Sequence, residues 1–132
     1  MSNTKKKQLQ ESLTQLLGNR MSQSEASLKA HSRDESWHSP QIPFAVCYPH
    51  SSEEVRKIVN LCKACQFQIT PFGAGTSVEG NSIPAPGGIS VDLTQMNQIL
   101  AVSQADRDCR VEAGVTRLEL NEQLKNAGLF FP

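Results

Sequence analysis

Three glycines, a threonine and a serine lie close together in the stretch from Pro71 to Asn81. A glycine allows positive φ and the close approach of a ligand because it has no Cβ. Successive backbone N–H groups that face one concavity form an anion-binding nest. The hydroxyls of Thr76 and Ser77 could add two donors. These residue types therefore indicate a loop that binds a phosphate or a pyrophosphate.

This loop differs from the two best-known phosphate-binding motifs. Its glycines have the spacing G-x-G-x-x-x-x-G, which is neither the G-x-G-x-x-G dinucleotide fingerprint nor a Walker A sequence. Both motifs lead into a helix, whereas Pro84, Pro86 and Gly87-Gly88 forbid a regular helix here. An anion would thus be held by loop amides alone. The loop chemistry leaves a plain surface turn and a phosphate site as alternatives.

The segments before the loop predict a βαβ unit that positions it. Phe44–Tyr48 is a short apolar run between prolines, which is typical of a strand. Ser51–Glu54 fits a capping box that opens a helix ending near Cys65. Phe67–Thr70 is the next predicted strand, and such a crossover pairs its two strands in parallel. The loop then leaves the carboxyl end of a parallel strand, where open α/β sheets bind ligands.

The other elements complete a predicted α+β fold of N-terminal helices, the βαβ unit and antiparallel strands. An amphipathic helix over Thr4–Leu17 ends at Gly18, and a capping box at Ser22 opens a short helix. The remaining predictions are a half-buried strand over Ile89–Leu93, a hairpin of Ile99–Ser103 with Cys109–Ala113, and a helix from the capping box at Thr116 to about Ala127.

A polar cluster lies between the short helix and the first strand. It contains His31, Asp34, Glu35 and His38. A metal site or an acid–base pair is conceivable, but no spacing matches a helix-borne His-x-x-x-His site. We therefore expect an exposed polar linker and no metal.

Four cysteines occur, and two of them form the C-x-x-C sequence Cys62–Cys65. A thioredoxin-like site would place the first cysteine at a helix N-terminus, whereas this pair falls near the predicted helix end. A zinc site would require a second close pair, and Cys47 and Cys109 are isolated. We expect buried, reduced, structural cysteines, which suits a reducing compartment.

Composition excludes several classes of partner. The chain has 132 residues, zero formal net charge and no basic stripe with interleaved aromatics, which argues against nucleic acid. No apolar run approaches the roughly 20 residues of a membrane span. Lys5-Lys6-Lys7 is not followed by the apolar region of a secretory signal. A cytoplasmic location is expected, with a mitochondrial or membrane-peripheral one left open.

The long loop resembles the flavin pyrophosphate loop of the FAD-linked oxidases, the p-cresol methylhydroxylase/vanillyl-alcohol oxidase superfamily. Within that superfamily the chain is similar to the branch that contains D-lactate dehydrogenase and glycolate oxidase. The segments that carry the resemblance are Pro71–Pro84, Gly87–Leu93, Ser32–Ser36, Pro49–Val55 and Gly128–Pro132.

The resemblance implies that the loop holds the pyrophosphate of FAD. The implied cofactor-binding residues are Pro71, Gly73, Ala74, Gly75, Thr76, Ser77, Gly80 and Asn81. Some members of the superfamily attach flavin through His or Cys, and neither occurs between Pro71 and Pro86. Non-covalent FAD is therefore expected, with His38 and His50 left open as attachment sites. Glu79 would point away from the dianionic ligand.

A complete enzyme of this type would oxidise a D-2-hydroxy acid. In the family the chain continues past Pro132 into a second flavin-contacting segment and a cap domain, so a truncated piece is expected. Its implied parts are an N-terminal helical segment and linker, residues 1–40, and the beginning of a PCMH-type FAD-binding domain, residues 41–132. The catalytic residues are unknown. The alternatives are a subunit that a separate chain completes and a non-catalytic nucleotide or phosphate binder.

Overall fold

A four-stranded mixed sheet carries the loop. The computed structural model describes residues 3–132. The strands are β1 (Met21–Ser22), β2 (Ala45–Cys47), β3 (Ile69–Phe72) and β4 (Ile89–Asp92), and their order in the sheet is β1-β2-β4-β3. β1 is antiparallel to β2, whereas β2, β4 and β3 are parallel. A separate antiparallel hairpin consists of β5 (Ile99–Ser103) and β6 (Asp108–Val111).

Four α-helices accompany the strands. They are α1 (Asn3–Leu17), α2 (Glu25–Ala30), α3 (Ser52–Cys65) and α4 (Arg117–Leu124), with short 3₁₀ turns at Gly18–Arg20 and Lys125–Ala127. The predicted α+β class is confirmed. Among residues 3–132, no helix has the length and apolar character that crossing a membrane requires.

The helices α3 and α4 begin after their predicted N-cap residues, whereas the N-cap of α2 differs from the predicted one. Thr116 and Glu119 form a complete capping box. Ser51 caps α3, but the carboxylate of Glu54 contacts Arg20 and the His50 amide and so does not close the box. The cap of α2 is Ser24 and not Ser22, because residue 22 belongs to β1.

The hydrophobic core lies between the sheet and the pair α1–α3. Leucines four residues apart place one face of α1 inward. The buried members of this core are Leu9, Leu13, Leu17, Ala45, Cys47, Ile58, Cys62, Cys65, Phe67, Ile89 and Val91. Burying each leucine stabilises the fold by about 2 kcal/mol. The first helix therefore packs into the same core as the βαβ segment.

Two predictions about the sheet are wrong. β2 and β3 are parallel, but they are not neighbours, because β4 lies between them. The predicted half-buried strand is buried along its whole length, including Ser90 and Asp92. Both errors have one cause: β4 is the strand with parallel neighbours on both sides, and such strands are covered on both faces.

The strand directions place the loop at a defined edge. The carboxyl ends of β2, β3 and β4 share one edge because these strands are parallel. β3 is an outer strand and extends through Pro71 and Phe72, two residues beyond the predicted end. An outer strand tolerates proline because one of its sides needs no ladder hydrogen bonds.

Candidate functional site

The phosphate loop, residues 73–81, leaves β3 at the carboxyl edge of the sheet. It contains bends and turns and no helix. Gly75 has φ +70° and Gly80 has φ +80°, a backbone region that favours glycine. The loop therefore has the non-helical, glycine-dependent backbone that its sequence predicts.

A run of six amides in this loop is unbonded. Within residues 3–132, no protein acceptor receives a hydrogen bond from the N–H groups of residues 73–78. The next amides differ, since Glu79 N–H and Asn81 N–H donate to Ser77 Oγ at 3.2 and 3.4 Å. Backbone donors need a partner, so these six are available to an anion. A run of free amides can bind an anion such as a phosphate.

Two glycines in the loop have positive φ and also lie close to neighbouring side-chain rings. A Cβ on Gly75 would lie 3.0 Å from Cζ of Phe72, and one on Gly80 would lie 2.6 Å from Cδ2 of His38. Gly73 differs, because a Cβ there would meet nothing within 4 Å. The first two glycines thus shape the loop, whereas at Gly73 the protein leaves room beside the free amides.

The polar side chains of the loop have different surroundings. Ser77 Oγ accepts from two loop amides, so this hydroxyl organises the loop instead of extending into solvent. Thr76 is exposed. Glu79 lines an open cleft of about 540 Å³ beside Trp37 and His38, and does not line the cavity at Ala74. Glu79 thus contributes to a different cleft from the one beside Ala74.

A cavity of about 260 Å³ lies beside the free amides. Its lining combines Phe72, Ala74 and Gly75 from the loop region with Ala30 and residues 33–35. Arg33 supplies a cation there, and Asp34 and Glu35 supply two carboxylates. The segment after α2 is therefore the second wall of the site.

The expectation of an exposed linker in this segment is wrong for two of its residues. Glu35 and His38 are exposed, but His31 and Asp34 are buried. Buried polar groups are usually hydrogen-bonded, but Asp34 Oδ2 has no partner among residues 3–132. Asp34 Oδ1 accepts from Ser36 N–H at 3.0 Å, and Glu35 N–H donates to Ser77 O at 3.0 Å. The resemblance at Ser32–Ser36 was the available signal, although polar composition alone suggests exposure.

His31 connects the segment to the sheet. Its Nδ1 lies 2.8 Å from Ser27 O, and its Nε2 lies 2.7 Å from Asp92 Oδ2. Its ring centroid lies 4.3 Å from that of Phe72, the residue before the loop. Burial opposes the charged ring, but the Asp92 hydrogen bond, the Ser27 carbonyl and the Asp92 charge together raise the His31 pKa. Both ring nitrogens lie within hydrogen-bond distance of acceptors, an arrangement that the doubly protonated imidazolium satisfies with both of its N–H groups.

The histidines considered for flavin attachment lie outside the loop. His38 stacks on exposed Trp37 with ring centroids 4.6 Å apart, and its edge faces Gly80. His50 follows β2 at the carboxyl edge, and its Nε2 contacts Gln95. Of the two, only His38 lies against a loop residue.

Three of the four cysteines are buried as predicted, whereas Cys109 is only partly buried. Cys47, Cys62 and Cys65 are buried and free, and Cys109 is partly buried and free. Burial, with a smaller contribution from the neighbouring thiol, raises the pKa of Cys47 and of Cys62 to about 12. The C-x-x-C pair lies in the last turn of α3, as expected. Within residues 3–132, no three His, Cys, Asp or Glu side chains gather as a metal site.

Comparisons with known proteins identify the family of this chain. The family described as FAD binding domain matches residues 43–132. A probable mitochondrial D-lactate dehydrogenase of Danio rerio is 42% identical over 102 residues, which are 77% of this chain and 20% of that protein. Glycolate oxidase subunit GlcD of Bacillus subtilis is 30% identical over 127 residues, 96% of this chain and 27% of that protein.

The fold has a counterpart among solved structures. p-Cresol methylhydroxylase superimposes with a TM-score of 0.86 at 19% identity, over 98% of this chain and 26% of that one. The chain thus spans about a quarter of the length of these relatives or less. Because the family match covers more than half of the residues, the chain belongs to the FAD binding domain family, and its cofactor is FAD.

Proposed function

We propose that the phosphate loop binds the pyrophosphate of FAD in a flavin-dependent D-2-hydroxy-acid dehydrogenase or oxidase. The observation that carries this proposal is the run of six unbonded amides at residues 73–78. Gly80 and Asn81 would close the loop, and Pro71 would fix the strand that leads into it. The two relatives are named for lactate and glycolate, which are both 2-hydroxy acids, and this supports the substrate class.

The chain's own contribution would be binding and orientation. The flavin ring supplies the electron acceptor for oxidation of the hydroxy acid. Free amides and Arg33 would attract the diphosphate, whereas Asp34 and Glu35 would limit the positive potential beside it. We assign no catalytic residue. The base and the carboxylate-binding group would come from sequence outside these 132 residues, in the same chain or in a separate one.

We propose that FAD is held without a covalent bond and that the 132-residue chain is inactive alone. The loop from Pro71 to Pro86 contains neither His nor Cys. Part of a flavin site offers few contacts, so retention of FAD by this chain would be weak. The name of the Danio rerio relative makes the mitochondrion a candidate location beside the cytoplasm.

The proposal is tested by titrating the ¹⁵N-labelled chain with pyrophosphate and with FAD. We expect the amide signals of residues 73–78 to shift, and Gly75→Val to abolish these shifts, because a side chain at φ +70° is strained and meets Phe72. Gly87→Ala is the matched control. Gly87 also has positive φ, but it lies before β4 at the opposite edge of the sheet.

Three results would contradict the proposal. Shifts confined to residues elsewhere would remove the loop as the binding site. Flavin that stays with acid-precipitated protein would exclude a non-covalent complex, and a stoichiometric yellow protein from this chain alone would exclude weak retention.

A further inference from the structure

We propose that Phe72 is a positioning residue for the phosphate loop, because its ring supports Gly75 and so fixes the backbone that carries the free amides of residues 73–78. The inference rests on the proposed pyrophosphate site and concerns how the chain holds that site in shape. Phe72 would act through the backbone of Gly75 and would not itself bind the phosphates.

The Phe72 side chain lies outside the hydrophobic core. Phe72 is the half-buried last residue of β3, and within residues 3–132 it is not one of the side chains that form the core between the sheet and the pair α1–α3. Successive side chains of a strand point to opposite faces, and Ile69, three residues earlier, packs against that core. The Phe72 ring is therefore on the other face of the sheet and has different partners.

One partner of the Phe72 ring is the buried ring of His31. The two ring centroids are 4.3 Å apart. The His31 ring is itself held at both nitrogens, at 2.8 Å from Ser27 O and at 2.7 Å from Asp92 Oδ2. The main chain of Phe72 is also held, since its carbonyl accepts from Leu93 N–H at 2.9 Å. The ring therefore has a fixed attachment to β3 and a fixed neighbour.

The outer end of the same ring lies against Gly75. A Cβ on Gly75 would be 3.0 Å from Cζ of Phe72 and 3.6 and 3.7 Å from its two Cε atoms, so the ring would have to shift by a few tenths of an ångström to accommodate it. Gly75 has φ +70° and lies within the run of unbonded amides. Both residues line the cavity of about 260 Å³ beside those amides. The ring thus meets the loop at the turn that shapes the site.

Changing both partners of this contact separates a positioning role from a role in stability alone. Gly75→Ala adds a Cβ against the ring, and Phe72→Leu removes the ring atoms that this Cβ would meet. If the ring positions Gly75, the second change relieves part of the damage that the first causes. If the ring only stabilises the fold, the two losses of binding are additive.

The experiment measures pyrophosphate binding to the ¹⁵N-labelled 132-residue chain and its variants from ¹H–¹⁵N spectra at one pH. For Phe72→Leu we expect the dissociation constant to rise about fivefold, the change that the loss of an aromatic contact worth about 1 kcal/mol gives. Gly75→Ala should also weaken binding. The double variant should bind at least about twofold more tightly than Gly75→Ala alone, which is the lower end of the coupling between residues in contact.

Phe44→Leu is the matched control. The Phe44 ring also packs against another ring, that of Phe67, with centroids 5.5 Å apart. Phe44 N–H bonds to Gly88 O at 2.7 Å, at the sheet edge opposite the loop. This variant should lower the free energy of unfolding in urea and leave the dissociation constant for pyrophosphate unchanged. A rise in that constant equal to the rise for Phe72→Leu would overturn the proposal.

Measurements without ligand decide the role of Phe72 even if a variant does not fold. In the wild type, nuclear Overhauser effects should join the Phe72 ring protons to the Hα protons of Gly75, and their absence would overturn the proposal. In Phe72→Leu, ¹⁵N relaxation should show larger backbone motion for residues 73–78.

Two further results are decisive. Additive losses in the double variant, or a loop of unchanged mobility in Phe72→Leu, would overturn the role of Phe72 while leaving the pyrophosphate site in place. If pyrophosphate shifts no amide of residues 73–78 in the wild type, the proposed binding site itself is wrong, and the ligand-free measurements still decide whether the ring positions the loop.

Discussion

At the scale of single residues, His31 and Asp92 form a buried hydrogen-bonded pair next to Phe72. Both side chains are under 10% exposed, and Thr94 donates to the second carboxylate oxygen through its amide at 2.9 Å. Burial would raise the Asp92 pKa, but the hydrogen bonds from His31 and Thr94 lower it. The ion pair therefore contributes to stability over a limited range of pH.

The sign of each shift sets that range. A raised His31 pKa gives stability that is complete below the ordinary value of about 6.5 and is lost as pH rises through the folded value. A lowered Asp92 pKa gives stability that is complete above about 4 and is lost as pH falls through the folded value. We expect His31→Gln to cost about 3 kcal/mol near pH 5.5, and less at pH 9.

Urea unfolding at both pH values measures this difference. His38→Gln is the control, because His38 is exposed and should change stability little at either pH. An equal loss for His31→Gln at pH 5.5 and pH 9 would show that the charge of the pair contributes nothing.

Sequence reasoning at this scale found the glycines and missed the buried polar residues. Positive φ at Gly75 and Gly80 follows from residue type, since few other residues adopt it. The burial of His31 depends on Asp92, a residue 61 positions away. No local pattern contains that pairing, so a polar segment without periodicity was predicted to be exposed.

At the scale of elements, the C-x-x-C pair lies at the C-terminal end of α3, and this position explains why we expect its thiols to be unreactive. The helix N-terminus, which lowers thiol pKa values, is at Ser52, whereas Cys62 and Cys65 lie in the last turns. Cys62 faces the core, and burial raises its pKa to about 12. The pair is therefore part of the packing between α3 and the sheet.

Thiol labelling tests this account. At pH 8 a thiol with a pKa near 12 is ionised in only about one molecule in ten thousand. We expect iodoacetamide to leave Cys47 and Cys62 unmodified in the folded chain and to modify both in urea, as measured by peptide mass spectrometry. Partly buried Cys109 is the internal control and should react first. Modification of Cys62 in the folded chain at the rate of Cys109 would contradict the structural role.

The helices were predictable because apolar spacing and caps are local signals. α1 differs from its predicted range by one residue, and α3 begins after the predicted cap. β1 was missed because a strand of two residues is too short to show an alternation of apolar and polar residues. The final helix was predicted too long, since its last three residues form a 3₁₀ turn before Gly128.

At the scale of the whole molecule, Arg20 joins three parts of the fold. Its guanidinium forms two 2.7 Å hydrogen bonds with the Glu54 carboxylate and donates to Tyr48 O at 3.1 Å. The contact links the turn after α1 to the end of β2 and to the first turn of α3. The Arg20 hydrogen bond is the main cause that lowers the Glu54 pKa to about 2.

Because of the Arg20–Glu54 ion pair, the free energy of unfolding should fall in acid. A lowered carboxyl pKa gives stability that is present above the ordinary value of 4.5 and is lost as pH falls toward 2. Because solvent screens this partly exposed pair, we expect Glu54→Gln to cost about 1 kcal/mol at pH 7. The variant should lose less stability than the wild type between pH 5 and pH 2.5.

Denaturant unfolding across that pH range is the measurement. Glu53→Gln provides the matched control, because Glu53 lies next in the chain and pairs with Arg56 on the exposed face of α3. A pH dependence that Glu54→Gln leaves unchanged would show that another carboxylate dominates acid unfolding.

The order of strands could not be predicted from the local patterns. β2, α3 and β3 have the lengths of a simple crossover, and nothing within them indicates that a later segment separates the strands. Pairing of distant segments is decided by the fit of both sheet faces, which depends on the complete chain.

The central position of β4 affects how the protein is made. On the ribosome, β2 and β3 leave the exit tunnel before their shared neighbour, which is complete only at residue 92. Domains assemble as their sequence emerges, so until then each strand presents an open edge to which other chains can add. A pause in translation after β3 has left the tunnel and before β4 has left it would therefore prolong the interval in which these strands have open edges.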